Sequence, residues 1–401
     1  MTKTVAIIGA GPAGLMAAEI LSAAGHRVSL YDRMPSVARK FLMAGRGGLN
    51  LTHSEAFERF VARYGKRAPQ LRPALEAFTP KDLRDWADGL GADTFVGSSG
   101  RVFPKAMKAS PLLRAWLKRL ESQGVNLHTR HDWRGWSGDD LVFDHQGATV
   151  QVSADYTILA LGGASWPKLG GDGGWTPYLM EKGVEIVPFQ PSNAGFTTVW
   201  SDHFRDKFAG EPLKNIAVQF AGREVRGELM LTRTGIEGGA IYALSAALRD
   251  AIIRHGHADL MIDLRPDLNA GQVISKLGRA SPKDSQSNRL RKALNLSPAA
   301  IALVQETKAI DIKAVPLRLT GAQGLERAIS SAGGISFNSL TPAFELKALP
   351  HTYAVGEMLD WEAPTGGYLL QATFATAVMA ARSILKDTPP SRTSPRHLPT
   401  A

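Results

Sequence analysis

The chain has 401 residues, 44% hydrophobic and 21% charged, a globular composition long enough for two or three folding units. It contains no cysteine, which excludes disulfides, Cys-ligated zinc or iron–sulfur centres, a CxxC redox pair and any cysteine nucleophile or proton donor. Lys and Arg number 47 against 37 Asp and Glu, and the formal charge of +10 brings polyanions such as nucleic acid into view beside a plain solubility charge.

In chain order, Val5-Ala6-Ile7-Ile8 is predicted as a buried parallel strand ended by glycine. It runs into Gly9-Ala10-Gly11-Pro12-Ala13-Gly14 and a helical run over 15–24. A second apolar strand over 27–31 follows, with Asp32 at its end and Arg33 beside it. Strand, glycine turn, helix and strand within about 30 residues is the context a dinucleotide fingerprint requires. Gly9 permits the turn, Gly11 lets a pyrophosphate approach the backbone, and Gly14 lets the helix pack closely. Pro12 and Ala13 open the helix, whose first-turn N–H groups and dipole favour phosphate. Asp32 can accept hydrogen bonds from an adenosine ribose, and Arg33 would suit a 2′-phosphate, so this motif alone fits FAD or NAD(P).

The apolar run 5–24 has the length of a signal peptide or anchor. Glu19 inside it, the glycine turn and a lone Lys3 before it argue against both. No other run reads as apolar and long enough to cross a bilayer, so a cytoplasmic location without a membrane partner is expected. Basic residues cluster at Arg59, Arg63, Lys66 and Arg67, and again at Lys105, Lys108, Arg114, Lys118 and Arg119. Each cluster alone reads as a solvated face. With the net charge they make RNA a candidate partner, although no RNA-binding module signature is present.

The segment 155–161 is another buried strand, ending in Gly162-Gly163-Ala164-Ser165. Ala160, Gly162 and Gly163 there would bring bare backbone against a dinucleotide. A domain boundary is expected near Pro188-Phe189-Gln190-Pro191-Ser192-Asn193, where turn formers follow a strand-like run. Short strand-like runs fill 194–265, and the pattern over 267–318 turns helical and very basic. Near the C-terminus a strand starting at Thr352 ends in Gly356-Glu357, followed by Asp360, Pro364-Thr365-Gly366-Gly367-Tyr368 and a helical run over 369–385. Asp360 is placed for a ribityl or pyrophosphate group. Gly366 and Gly367 would let the helix start approach the pyrimidine edge of an isoalloxazine ring, whose reduced form the helix dipole favours. A long, bent FAD needs this distant third element and NAD does not, so FAD is the expected cofactor.

The expected fold class is α/β. A split Rossmann-type FAD-binding domain covers 1–190 and 324–386, an inserted β-rich, barrel-like domain covers 191–265, and a small helical domain covers 266–323. A proline-rich tail over 387–401 is expected to be disordered.

Together these motifs resemble the YhiN/BaiN family of bacterial NAD(P)/FAD-dependent flavoproteins. Lys40 and Ala44-Gly45-Arg46-Gly47-Gly48-Leu49-Asn50-Leu51-Thr52 are similar to the family's signature loop near the flavin. Gly100-Arg101-Val102-Phe103-Pro104 matches a recurrent family block, and Gly227-Glu228-Leu229-Met230-Leu231-Thr232-Arg233-Thr234-Gly235 a motif of its second domain. The family pattern has Cys where Leu49 stands and His where Arg233 stands, which points to a distinct subfamily. The resemblance implies cofactor contacts from Lys40, Gly45, Arg46, Gly47, Gly48, Gly356, Glu357, Asp360 and Tyr368. It also implies reduction of an activated C=C bond, in a small-molecule enone or in a uridine of ribosomal RNA, by hydride from flavin N5 and a proton at the neighbouring carbon.

On that reading Arg46 and Asn50, with Arg233 of the second domain, are the catalytic candidates, polarising a substrate carbonyl and stabilising an enolate. Competing roles are a turn cap for Asn50, a surface ion pair for Arg233, and a structural place for His53 rather than proton donation. No second GxGxxG is present, so NAD(P)H or a partner protein would reduce the flavin directly. Two alternatives stay open: a single-Rossmann FAD monooxygenase, and a non-catalytic, flavin-stabilised RNA-binding factor. No metal is expected.

Overall fold

The computed structural model describes residues 2–45 and 47–387, and the expected disordered tail falls on 387–401, almost wholly outside the described residues. The chain divides into two compact units, one of residues 1–189 with 333–401 and one of residues 190–332.

The first unit is built on a five-stranded sheet. Its strands are β1 (Thr4–Ile8), β2 (Arg27–Asp32), β3 (Asn126–Thr129), β4 (Tyr156–Leu159) and β5 (Thr352–Ala354), in the order β5-β4-β1-β2-β3. Every pairing is parallel, with Ile7 opposite both Leu30 and Ile158. Val5 to Ile8 are buried, as continuous apolar runs must be in a parallel strand covered on both faces. Helix α1 (Pro12–Ala23) makes the crossover from β1 to β2. Helix α2 (Ala68–Ala77) and the C-terminal helix α3 (Tyr368–Asp387) complete the frame.

Helix α3 is, against the sequence expectation, long and apolar enough to cross a membrane, with a mean hydropathy of 1.2 over its best window. That window is 61% buried inside the protein, where Phe374 meets Trp86 and Trp116, so it is a core helix. An antiparallel meander of His131–Ser137, Asp140–His145 and Ala148–Val152 lies between β3 and β4 and was not foreseen.

The second unit holds a seven-stranded antiparallel sheet. Its two outermost strands, Val315–Leu319 and Gly321–Ala322, are separated in sequence only by Thr320. One stretch of chain therefore lies at both edges, and the sheet has to curl back on itself in a barrel-like way. The helices Ala270–Gly278, Gln286–Leu294 and Pro298–Glu306 share one hydrophobic core with the sheet, in which Leu290 and Leu303 join Phe204 and Ile262. The end of the run expected to be helical is instead the strand Val315–Leu319, whose alternate residues are buried.

The chain runs between the units through Ile186–Ser192 and Ser330–Ile335, which pair as a two-stranded ribbon. Pro188 and Pro191 thus sit within a strand rather than in a turn. A ribbon leaves half of its N–H groups unpaired and so tolerates proline.

Candidate functional site

The turn after β1 is closed by glycines of two kinds. Gly9 has φ +104°, and a Cβ there would lie 2.2 Å from the Ala160 carbonyl oxygen; one on Gly14 would lie 1.9 Å from the Gly9 oxygen. These two are packing glycines that press the strand β4 end and α1 together. Gly11, the N-cap of α1, has nothing within 4 Å of such an atom, and neither have Gly47 and Gly162. Bare backbone thus faces open space beside a helix start whose first N–H groups have no partner within the helix, with Pro12 and Ala13 in that turn.

Asp32 closes the other side. Its carboxylate accepts from the Ala10 N–H at 2.9 Å and the Met34 N–H at 2.8 Å. Burial raises its pKa above the ordinary value, and those two N–H groups and the Arg33 charge only partly oppose this. Arg33 itself donates to Asp172 at 2.7 Å and to the Gly170 carbonyl at 2.7 Å, so its guanidinium is held by the loop after β4. Gly163 borders the same loop, its carbonyl 3.3 Å from where a Gly171 Cβ would sit.

Lys40 joins three of the predicted segments, donating to Ser165 at 2.8 Å and pairing with Glu357 at 2.7 Å. Gly356, with φ +81°, abuts the start of α1, since an added Cβ would lie 3.1 Å from the Ala13 Cβ. Its N–H donates to Thr376 at 3.0 Å, and Trp361 donates to its carbonyl at 2.9 Å. Asp360 is 4% exposed and pairs with Arg67, whose guanidinium also covers the Phe337 ring at 5.7 Å.

The glycine loop 45–52 is locked to the start of α3. A Cβ on Gly367 (φ +97°) would lie 2.5 Å from the Thr52 Cα, so no side chain fits there. Gly366 precedes it at φ +134°. Thr52 donates to Gln371 at 2.8 Å, and Tyr64 donates to the Tyr368 carbonyl at 2.8 Å. Gly45 is held against Ala109 and Gly48 against Met107, where added Cβ atoms would come within 2.7 and 2.8 Å. Leu49 and Leu51 are fully buried, and between them the Asn50 Oδ1 is buried without a hydrogen-bond partner. Arg46 lies outside the described residues.

The Tyr368 hydroxyl donates to Glu55 at 2.5 Å. Burial, followed by that bond, pushes its pKa well above the ordinary value. His53 stacks on Tyr368 with ring centroids 5.5 Å apart. The Glu55 N–H donates to His53 Nδ1 at 3.1 Å, which leaves the proton on Nε2, 3.0 Å from the Ser99 carbonyl; both nitrogens are engaged. Arg233, in the second unit, is 65% exposed and donates to Asp206 at 2.9 Å.

The first unit therefore gathers the N-terminal glycines, Lys40, the 45–52 loop, the end of β4 and the Gly356–Tyr368 stretch around common contacts. Sequence reasoning missed Arg67 as the partner of Asp360 and Asp172 as the partner of Arg33; neither spacing gives a signal, because the partners lie 293 and 139 residues apart. An ADP-containing cofactor with a ring system fits what is present: open glycine backbone at Gly11, Gly47 and Gly162 for close approach, and an unsatisfied acceptor on Asn50 for an N–H donor.

The family described as HI0933-like protein Rossmann domain matches residues 3–383. A "Ribosomal RNA dihydrouridine synthase" of Haemophilus influenzae is 24% identical over 95% of this chain and 98% of its own. A "3-dehydro-bile acid delta(4,6)-reductase" of Clostridium scindens is 25% identical over 94% and 98%. Among solved structures, a 3-ketosteroid delta1-dehydrogenase from Sterolibacterium denitrificans superposes with a TM-score of 0.53 at 12% identity, over 96% of this chain and all of that one. A flavocytochrome c3 fumarate reductase does so with a TM-score of 0.53 at 16% identity, over 96% and 78%. Those superpositions show the fold. The chain belongs to the HI0933-like Rossmann-domain family of FAD-dependent oxidoreductases.

Proposed function

We propose that this chain reduces an activated C=C bond next to a carbonyl, with uridine of ribosomal RNA as its substrate and NAD(P)H as its electron donor. The observation that carries the reading is the Asn50 Oδ1, buried without a partner in a loop fixed to the start of α3. A buried acceptor without a partner costs about 1–3 kcal/mol, so the site is completed by an N–H donor. An imide N–H meets that need: uracil carries one and a steroid enone does not, and the isoalloxazine ring, which carries one too, is the competing occupant. The names of the Haemophilus influenzae and Clostridium scindens relatives support the two substrate classes in turn.

Bound FAD supplies the hydride chemistry. Gly11, Gly47 and Gly162 would give it bare backbone to approach, and the Lys40–Glu357 pair ties together two of the segments that would hold it. The Asn50 Oδ1 would accept from the imide N–H next to the reacting carbonyl, and Arg46 of the same loop would take up developing negative charge. The chain has no thiol acid. Tyr368 holds its proton tightly against Glu55 and His53 has both nitrogens committed, so in this reading water delivers the proton to carbon. No second GxGxxG is present, so the nicotinamide reductant reaches the same site as the substrate.

The test is the dihydrouridine content of 23S rRNA in cells lacking the gene and in cells complemented with wild type or Gly11→Val. A Cβ at Gly11 meets no protein atom within 4 Å and projects into the open space at the helix start. Loss of a dihydrouridine on deletion, restored by wild type and not by G11V, is the expected result. An unchanged rRNA profile sinks the uridine reading and turns attention to small enones.

A further inference from the structure

In the 95–103 hairpin exposed aromatic and apolar surface meets a run of exposed cations. Its strands Phe95–Val96 and Arg101–Phe103 form a three-stranded antiparallel sheet with Thr52–His53, the residues that end the glycine loop. Phe95 is 43% exposed and Val96 44%, and the Phe95 ring lies 5.9 Å from that of the half-buried Phe103. Met107 next to them is 38% exposed. Between residues 91 and 109 there is one acid, Asp93, and three cations, Arg101, Lys105 and Lys108, all exposed. Asp93 reaches only Lys105, at 4.0 Å with both partners mostly exposed, a distance at which an exposed pair contributes little.

This face is rigidly tied to the candidate site. The Leu49 N–H donates to the Met107 carbonyl at 2.8 Å and the Leu51 N–H to the Val102 carbonyl at 2.9 Å, so Asn50 is flanked on both sides by bonds to this segment. His53 and Ser54 hold the hairpin tip through the Ser99 and Gly100 carbonyls.

We propose that this hairpin face docks a single-stranded RNA segment beside the reacting base, with bases stacked on Phe95 and Phe103 and phosphates on Arg101, Lys105 and Lys108. The proposal rests on the uridine reading above. Stacked rings interleaved with cations suit an unpaired strand, whose bases are free to splay onto a protein surface, and do not suit a duplex, whose bases are covered. A small uncharged enone has no use for the three cations. A membrane surface would meet an apolar patch of this size too, but the hairpin presents it beside Asn50 of the glycine loop, where this reading puts the reacting base.

The test uses the full-length, FAD-loaded protein and a fluorescein-labelled twelve-nucleotide oligouridylate, read by anisotropy over a range of salt, with an RNA duplex as control. Phe95→Ala is expected to weaken oligouridylate binding about tenfold, the loss of one stacked base. The double variant Lys105→Ala/Lys108→Ala is expected to lower the slope of log K against log salt by about 1.4, two single-strand phosphate contacts. Flavin absorbance and melting temperature should match wild type in both, which separates docking from folding. If wild type binds the oligonucleotide and both variants bind it equally well, this surface is overturned while the uridine reading stands. If wild type binds no RNA, both fall together. If Phe95→Ala instead raises KM for androstenedione and leaves RNA binding intact, the face serves small apolar substrates and the docking proposal is overturned.

Discussion

Two basic stretches of the first unit, 63–67 and 101–108, look alike in composition and behave as opposites. Arg63 donates to Glu55 at 2.7 and 3.0 Å, and Arg67 pairs with the buried Asp360, so the first stretch spends both guanidinium groups on the protein's own acids. Arg101, Lys105 and Lys108 stand exposed, with only Asp93 reaching Lys105 at 4.0 Å, and the second stretch leaves its charge facing solvent. A run of cations in a sequence has a sign but no direction. What gives it direction is whether a carboxylate arrives from elsewhere in the chain, and Asp360 arrives from 293 residues away.

The sharpest way to break this comparison is Arg67→Met. It leaves the Asp360 carboxylate, 4% exposed, without its counter-charge, and removing one member of a buried pair costs about 3–5 kcal/mol. Denaturant unfolding should show that loss, and FAD affinity should fall with it. Adding Asp360→Asn should recover most of the stability, because no uncompensated charge is then buried. If the double variant is as unstable as the single, the arginine acts by packing on Phe337 and not by charge.

Arg63→Met should cost less, about 1 kcal/mol, since Arg63 is 44% exposed although Glu55 is only 11% exposed. Here pH sharpens the contrast. Burial pushes the Glu55 carboxyl up, but bonds from Arg63 and Tyr368 outweigh it and hold its pKa below the ordinary value. A depressed carboxylate contributes stability above its unfolded pKa and loses it as pH falls through the folded one. The gap between wild type and Arg63→Met should therefore be full at pH 7 and close as pH falls through and below the ordinary carboxylate range. A gap that persists unchanged at low pH would show that the pair contributes nothing.

The smallest effect is expected in the second stretch. Lys105→Ala/Lys108→Ala should leave the melting temperature and unfolding free energy within about 0.5 kcal/mol of wild type, as exposed substitutions do. A clear destabilisation would mean these lysines are structural after all.

The local part of the fold was legible because its signals are local. Strand β1, the glycine turn, α1 and β2 follow one another within 32 residues, and each glycine answers to a neighbour or to open space. The helix start at Gly366-Gly367 was readable for the same reason, although its partner Thr52 was not. The meander 131–152 escaped because its alternation is short: Trp133 with Gly135 and Leu141 with Phe143 are buried at alternate positions, but His, Asp and Arg flank them and the strand Ala148–Val152 buries none of its residues fully. The strand Ile186–Ser192 was read as strand-like only as far as residue 187, because the two prolines beyond fit a turn as well as the open edge of a two-stranded ribbon. The pairs Lys40–Glu357 and Arg67–Asp360 join residues about 300 apart, where no spacing rule reaches. The orphaned acceptor of Asn50 is a property of burial and has no sequence signature at all.

The placing of β5 and α3 at the far end of the chain also sets an order of events during synthesis. The second unit is continuous, 190–332, and emerges from the ribosome whole, whereas β4 emerges early and must wait for β5, with an intervening stretch of chain made at about 5–20 residues per second. For that interval β4, with its Tyr156–Leu159 run, is an open apolar edge, the kind of edge that recruits other strands. Slowing translation within 190–332 should therefore increase the fraction of chain lost to aggregation.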